Sequence, residues 1–256
     1  MKTPSYVALS QQMVMRKQMG VIANNIANGE TPGYKVGVIA NNIANGETPG
    51  YKADRLMFAE HLAKPQGGDR VSYTRMAGVK TGFHPGGFTR TGNSLDVAIQ
   101  GDGFFVVDTP AGPRYTRNGH FQLDINSQLV TSQGHPVLGE GDQPIVFSED
   151  AGVVNIAKDG TLSAKNGDFG QIQLVSFATT EGLKKAGVGL FTTETAPEPA
   201  TGSFVIQGSL EDSNVEPILE ITRMISLMSA YKAAQKAVDS EHQRQRRAIE
   251  RLGRMP

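Results

Sequence analysis

Residues 20–35 read GVIANNIANGETPGYK, and residues 37–52 repeat the same sixteen letters. Only Val36 separates the copies, so the repeating unit is residues 19–35 against residues 36–52, with 16 matches in 17 positions. Two identical segments cannot both fill one place in a fold. Any architecture must therefore seat one copy and absorb the other. A stacked repeat array needs at least about three units and tolerates drift between them, so an in-frame tandem duplication is the simpler reading. Copy one is continuous with the segment before it, and copy two with ADRLMFAEHLA after it. Pro32-Gly33 argues against one helix running through both copies. Copy one is therefore expected to form a helix end and a turn over residues 28–33. Copy two is expected to be a short extra helix or looped insert over residues 36–45, which closure entropy tolerates well.

Both ends of the chain carry helical patterns. Thr3 suits an N-cap and Pro4 the first helical position. Met15, Met19, Ile22 and Ile26 then step 4-3-4, one apolar stripe on a helix. Near the other end, SNVE at residues 213–216 has the capping-box form, followed by Pro217 where a helix tolerates it. Met224, Leu227, Tyr231, Ala234 and Val238 repeat at 3-4-3-4, and the phase continues to Leu252. The arginines at 244, 246, 247, 251 and 254 read as a solvated helix face with favourable charge near the helix C-terminus.

The middle differs. Short β-rich runs such as LDVAIQ, FFVVDT and QIQLVSFA alternate with Gly101-Asp102-Gly103, Asn118-Gly119 and Asp159-Gly160, which read as hairpin turns. The expected fold class is α+β: long N- and C-terminal helices, coiled-coil-like, flanking a central antiparallel all-β domain. The expected divisions are residues 1–70 for the N-terminal helix, turn and duplicated segment, 71–208 for the β domain and 209–256 for the C-terminal helix.

The residues offer little to catalysis. There is no cysteine. The histidines (His61, His84, His120, His135 and His242) are scattered, with no metal-ligand spacing among them. No nucleophile elbow exists, and Gly101-Asp102-Gly103 lacks the third glycine of a dinucleotide fingerprint. DINSQL at 124–129 begins like a calcium loop, but Leu129 and His135 stand where the glycine and glutamate should be. The chain is therefore expected to be no enzyme and to need no metal and no cofactor. Lys+Arg and Asp+Glu both total 25, and this balance argues against nucleic acid or an anionic membrane as partner. The N-terminus lacks the apolar core of a signal peptide, and no run is long enough to span a membrane. By the general rules the chain stays in the cytoplasm unless a signal-independent export route takes it.

Four stretches carry a family resemblance: ANNIANGETPGYK, SLDVAIQGDGFFVV at 94–107, YTRNGHFQLDINSQLVTSQGHPVLG at 115–139, and GSLEDSNVEPILEITRMISLMSAYKAAQKAV at 208–238. They resemble, in order, the signatures of flagellar basal-body rod and hook proteins. TSQGHPVLGE and the short chain resemble the proximal-rod type more than the distal-rod type or the hook protein. Glu216 departs from the Asn or Asp usual after SNV, and deleting either copy of the repeat leaves an ordinary member. The resemblance implies a structural subunit whose terminal helices pack into a hollow axial rod crossing the periplasm. Its implied partners are other proximal and distal rod subunits, further copies of itself and the flagellar type III export apparatus, which takes it without a cleaved signal peptide. On that reading the assembly surface comprises Met15, Met19, Ile22, Asn24, Asn25, Ile26 and Asn28 at one end. At the other it comprises Ser213, Asn214, Val215, Ile221, Met224, Ile225, Leu227, Met228, Tyr231, Ala234, Val238 and Leu252. The alternative of another class is an adhesive or scaffolding β-domain protein that shares only the termini.

Overall fold

The run Phe104-Phe105-Val106-Val107 has no polar face, so a strand built from it must be covered on both sides. The structure, a computed structural model that describes residues 30–63, 71–148 and 152–252, covers it in this way. Strand Phe104–Thr109 lies inside a six-stranded sheet, between Gly112–Thr116 and Leu174–Ser176. Phe105 and Val107 enter one core with Val97, Phe121, Leu129 and Ile172. Phe104 and Val106 enter a second with Tyr115, Val175, Leu183 and Phe191. Rings meet edge to face in both, Phe105 on Phe121 at 5.1 Å and Phe104 on Phe191 at 6.1 Å between centroids. Such pairs add about 0.5–1.5 kcal/mol each beyond area burial.

Smaller antiparallel pairs surround this sheet. Val97–Gln100 pairs with Phe204–Gln207, Phe88–Arg90 with Ser209–Glu211, and Phe121–Leu123 with Leu129–Thr131. Asp159-Gly160 does close a hairpin, between Asn155–Ile156 and Thr161–Ala164. The other two glycine pairs do not. The strands on either side of Gly101-Asp102-Gly103 have different partners, so the chain changes sheets there. The same holds at Asn118-Gly119. A Cβ on Gly119 would collide with the Val97 carbonyl, so this glycine serves a close backbone approach rather than a tight turn.

The chain divides into two units. The first comprises Met1–Ile43, Asp54–Lys80 and Pro217–Pro256, and the second Ala44–Ala53 and Thr81–Glu216. This division cuts across the boundaries expected at residues 70 and 208. The first unit holds helix α1 (Glu30–Ala44), the two-stranded sheet of β1 (Asp54–Ala63) and β2 (Val71–Thr81), and helix α2 (Pro217–Leu252).

The expected fold class does not stand. The described chain is mainly strand, and long helices at both ends are not what it shows. On the N-terminal side only the 15-residue α1 is described, starting at Glu30. The helix expected before it lies outside the described residues. Residues 54–63 and 71–81 pair with each other, so strand begins ahead of the boundary expected at residue 70, and this shifts the balance further toward strand. At α2 the expected capping box is absent: Ser213 Oγ accepts from the Val215 N–H at 3.2 Å, a turn ahead of the helix.

The duplication resolves partly against expectation: residues 36–44 of copy two are helical, one of the two expected forms, but the turn and the continuous helix fall elsewhere than expected. Thr31, Pro32 and Gly33 of copy one lie within α1, not in a turn. Copy two makes the turn: Thr48 N–H donates to the Asn45 carbonyl and Tyr51 N–H to the Thr48 carbonyl, both at 3.2 Å. Copy two runs directly into Asp54 and β1, so seating it leaves no loop to close.

Candidate functional site, a clasp on Thr-Pro-Gly-Tyr-Lys

In the second unit, residues 48–53 (Thr-Pro-Gly-Tyr-Lys-Ala) run beside residues 209–216 and 82–87. Gly50 sits at φ +68°, and a Cβ there would strike the backbone at Arg117, so glycine is required on both counts. Its N–H donates to the Glu211 carbonyl at 2.7 Å. Tyr51, 2% exposed, forms a small apolar cluster with Ala53 and Val215. Lys185 Nζ lies 4.1 Å over the Tyr51 ring and donates to the Lys52 carbonyl at 2.7 Å. Asn214 stitches three segments together. Its Oδ1 accepts from the Ala53 N–H at 2.7 Å, and its Nδ2 donates to the carbonyls of Gly82 at 2.7 Å and His84 at 2.9 Å. Its backbone N–H reaches the Tyr51 carbonyl at 3.2 Å.

Buried charges close the clasp. Lys52 and Glu211 side chains are both 0% exposed and meet at 2.5 Å. Arg117, 4% exposed, approaches the other Glu211 oxygen at 3.3 Å. Glu211 Oε1 also accepts from the Gly86 N–H, and Lys52 Nζ donates to the His84 carbonyl. Arg117 Nη2 donates to the Gly101 carbonyl at 2.6 Å, its guanidinium stands 5.0 Å over the Phe104 ring, and its Nε is buried without a partner. Two cations thus share one carboxylate. Burial lowers the pKa of Lys52 and Arg117 from their ordinary values, and the attraction of Glu211 only partly offsets this.

The first unit has a related device. Asn42, 1% exposed near the end of α1, donates Nδ2 to the Asp54 carbonyl at 2.8 Å and accepts from the Asp54 N–H at 3.0 Å. It grips the backbone as a neighbouring strand would.

Of the residues expected at an assembly surface, Met15, Met19, Ile22, Asn24, Asn25, Ile26 and Asn28 lie outside the described residues. Ser213, Asn214 and Val215 belong to the clasp. The rest are on α2, and the structure separates them. Met224 and Leu227 are half-buried, and Leu227 lines a groove with Ile39, Leu56 and Phe58. Ile221, Ile225, Met228 and Tyr231 are exposed, Ile225 by 60%. Ile218, exposed by 79%, extends them into one stripe stepping 3-4-3 through Ile221, Ile225 and Met228. Ala234, Val238 and Leu252 follow further along the helix. Sequence reasoning missed Lys52, Arg117, Glu211 and Asn42. One signal pointed to Glu211: it stands two residues from Ser209 in a short strand, on the same face as that buried residue.

Among the described residues no group of His, Asp or Glu could hold a metal ion, and no helix is long and apolar enough to cross a membrane. A β-rich unit that binds an early segment of the chain beside a late one, together with an exposed apolar stripe on a long helix, defines a structural assembly subunit. Comparison with known proteins specifies which. Residues 6–35 match the family model described as flagella basal body rod protein, 98–164 the flagellar hook protein FlgE/F/G D1 domain, and 206–251 the flagellar basal body rod FlgEFG protein C-terminal. The chain is 38% identical over 256 residues to the flagellar basal-body rod protein FlgF of Caulobacter vibrioides, covering 98% of each chain. It is 32% identical over 258 residues to FlgF of Rhizobium meliloti, covering 99% of each, and 33% identical to FlgG of Bacillus subtilis, covering 91% and 92%. The chain belongs to the flagellar basal-body rod protein family and is of the FlgF type. It is a structural component of the flagellar rod, assembles with other rod components, and has its place in the basal body.

Proposed function

We propose that the chain is a non-catalytic subunit of the proximal rod that joins neighbouring rod subunits, including copies of itself, through α2 and the segment ahead of α1. The observation that carries this is the exposed stripe of Ile218, Ile221, Ile225 and Met228. Burying one such side chain stabilises by about 1.5–3 kcal/mol, so the stripe favours a covering partner. One face meeting a different face of the next copy builds an open helical filament rather than a closed ring. The assembly surface then takes Met15, Met19, Ile22 and Ile26 from the early segment, and Ile221, Ile225, Met228 and Tyr231 from α2. The clasp residues Ser213, Asn214 and Val215 hold the approach to α2 in place. Export by the flagellar type III apparatus without a cleaved signal peptide, and a rod that transmits torque around a hollow bore, complete the reading.

The test is Ile225→Asp. Its side chain is exposed in the isolated chain, so the purified variant should unfold at the wild-type urea concentration. In cells it should be missing from purified basal bodies and the cells should not swim. Normal amounts of the variant in basal bodies would remove the stripe from the assembly surface.

A further inference from the structure

The clasp contacts residues that both copies possess. Its bonds reach the Gly50 N–H, the Tyr51 carbonyl, the Lys52 amine and carbonyl, and the Ala53 N–H. Copy one offers Gly33, Tyr34 and Lys35 in the same order, with Thr31-Pro32 ahead of them, and a backbone N–H at Val36. The turn leading in, Asn45 to Thr48, is spelled identically at Asn28 to Thr31. The position after the lysine is where the copies part: Ala53, 6% exposed beside Tyr51 and Val215, against Val36. Two further observations bear on the choice. Copy one's Thr-Pro-Gly lies in α1, a conformation these residues favour weakly, so leaving it is cheap. The family's rod pattern matches residues 6–35, ending on the lysine of copy one, although copy two occupies the clasp.

We propose that the clasp of the second unit is a binding site for a Thr-Pro-Gly-Tyr-Lys segment and that this chain carries two ligands for it, at residues 48–52 and 31–35. Copy two holds the site because Ala53 fits where Val36 would crowd, and because it runs into β1 with no loop. When copy two is disabled, copy one takes its place and residues 36–52 move to the far side of the clasp. The chain thereby has two registers, seventeen residues apart, and the segment ahead of the clasp shortens by that length.

The chain has no cysteine, which permits a competition within one molecule. In Val36→Cys/Ala53→Cys/Val215→Cys, the thiol at position 215 can pair with position 53, marking the copy-two register, or with position 36, marking the copy-one register. The full chain is refolded from urea in a glutathione buffer, and the monomer's disulfides are read by peptide mass mapping. With cysteine at both positions the Ala53–Val36 difference is gone, and the direct run of copy two into β1 should still make the 53–215 bond dominate. Adding Gly50→Ala, which disables copy two, should raise the ratio of 36–215 to 53–215 bonds at least about tenfold in a folded chain. Adding Gly33→Ala as well should abolish that gain, while Gly33→Ala alone should leave the 53–215 bond dominant. The proposal is overturned if Gly50→Ala leaves the ratio unchanged, if it unfolds the chain as fully as the Gly33→Ala/Gly50→Ala double variant, or if 36–215 bonds appear only between molecules. Lys52→Met offers a second way to weaken copy two. An unchanged ratio in that background as well would count equally against the proposal.

Discussion

Replacing Glu211 by Gln should destabilise the second unit far more than replacing its partner Lys52 by Met. Glu211 is the single carboxylate between two buried cations, with Lys52 Nζ at 2.5 Å and Arg117 Nη1 at 3.3 Å. Glu211→Gln keeps the shape but leaves Lys52 without its counter-charge and Arg117 with only the attraction of Asp102. Breaking a buried ion pair in this way costs about 3–5 kcal/mol. Lys52→Met leaves Arg117 and Glu211 as a matched pair. The Gly86 N–H still bonds Glu211, and the His84 carbonyl still accepts from Asn214. Burial already disfavours the Lys52 charge, so its loss should cost below about 2 kcal/mol. For a unit of this size the two effects correspond to roughly 6–20 °C against less than about 8 °C in Tm. Urea unfolding followed by circular dichroism, with m-values compared, measures both. A pH series adds a check of sign. The folded pKa of Lys52 lies below its ordinary 10.5, so the unfolded lysine holds its proton more tightly. Between the lowered folded value and 10.5 the unfolded state binds more protons, and stability contributed by this group rises with pH. The wild-type curve should therefore rise relative to Lys52→Met across that window. Equal destabilisation by the two substitutions, or a wild-type curve that falls relative to Lys52→Met, would refute the view that two cations compete for one carboxylate.

Other outcomes follow from the same geometry. Asn214→Ala removes three hydrogen bonds that join residues 53, 82 and 84, and should cost about 2–4 kcal/mol and open residues 45–53 to limited proteolysis. Deleting residues 36–52 or residues 19–35 gives chains that differ only in Met or Val ahead of a single copy, so both should fold with unchanged urea midpoints and both should assemble. Loss of swimming in either would make the second copy a working element of the rod.

The β core was legible because the relevant signals are local. FFVVDT reads as a strand and is one, and Asp159-Gly160 reads as a hairpin turn and closes one. Gly101 and Gly119 misled because glycine also serves where two backbones approach, and that need comes from partners distant in sequence. Gly119 answers to Val97, and Gly50 to Arg117. The clasp was half legible. Residues 213–215 stood out in the motif, but the charges that complete it are 94 and 159 positions from Glu211 in the chain. No periodicity links Lys52 to Glu211. The placement of the two copies was misread for a related reason. Local chemistry is identical in both, and only the onward connection, Ala53 into β1 as against Val36, separates them. On α2 the expected seam is half-buried at Met224 and Leu227 and exposed at Tyr231, whereas the neighbouring stripe through Ile218 and Ile225 is open throughout. Helical periodicity gives stripes of nearly equal merit, and packing decides which one remains exposed.

The most direct test of the account is a density map of flagellar basal bodies purified from cells in which this chain is the only FlgF-type protein. Density for the chain is expected within the rod, with Ile218, Ile221, Ile225 and Met228 of α2 covered by a neighbouring subunit and Tyr51 and Lys52 seated against Asn214 and Glu211. A rod that lacks the chain, or one in which the α2 stripe faces solvent, would contradict it.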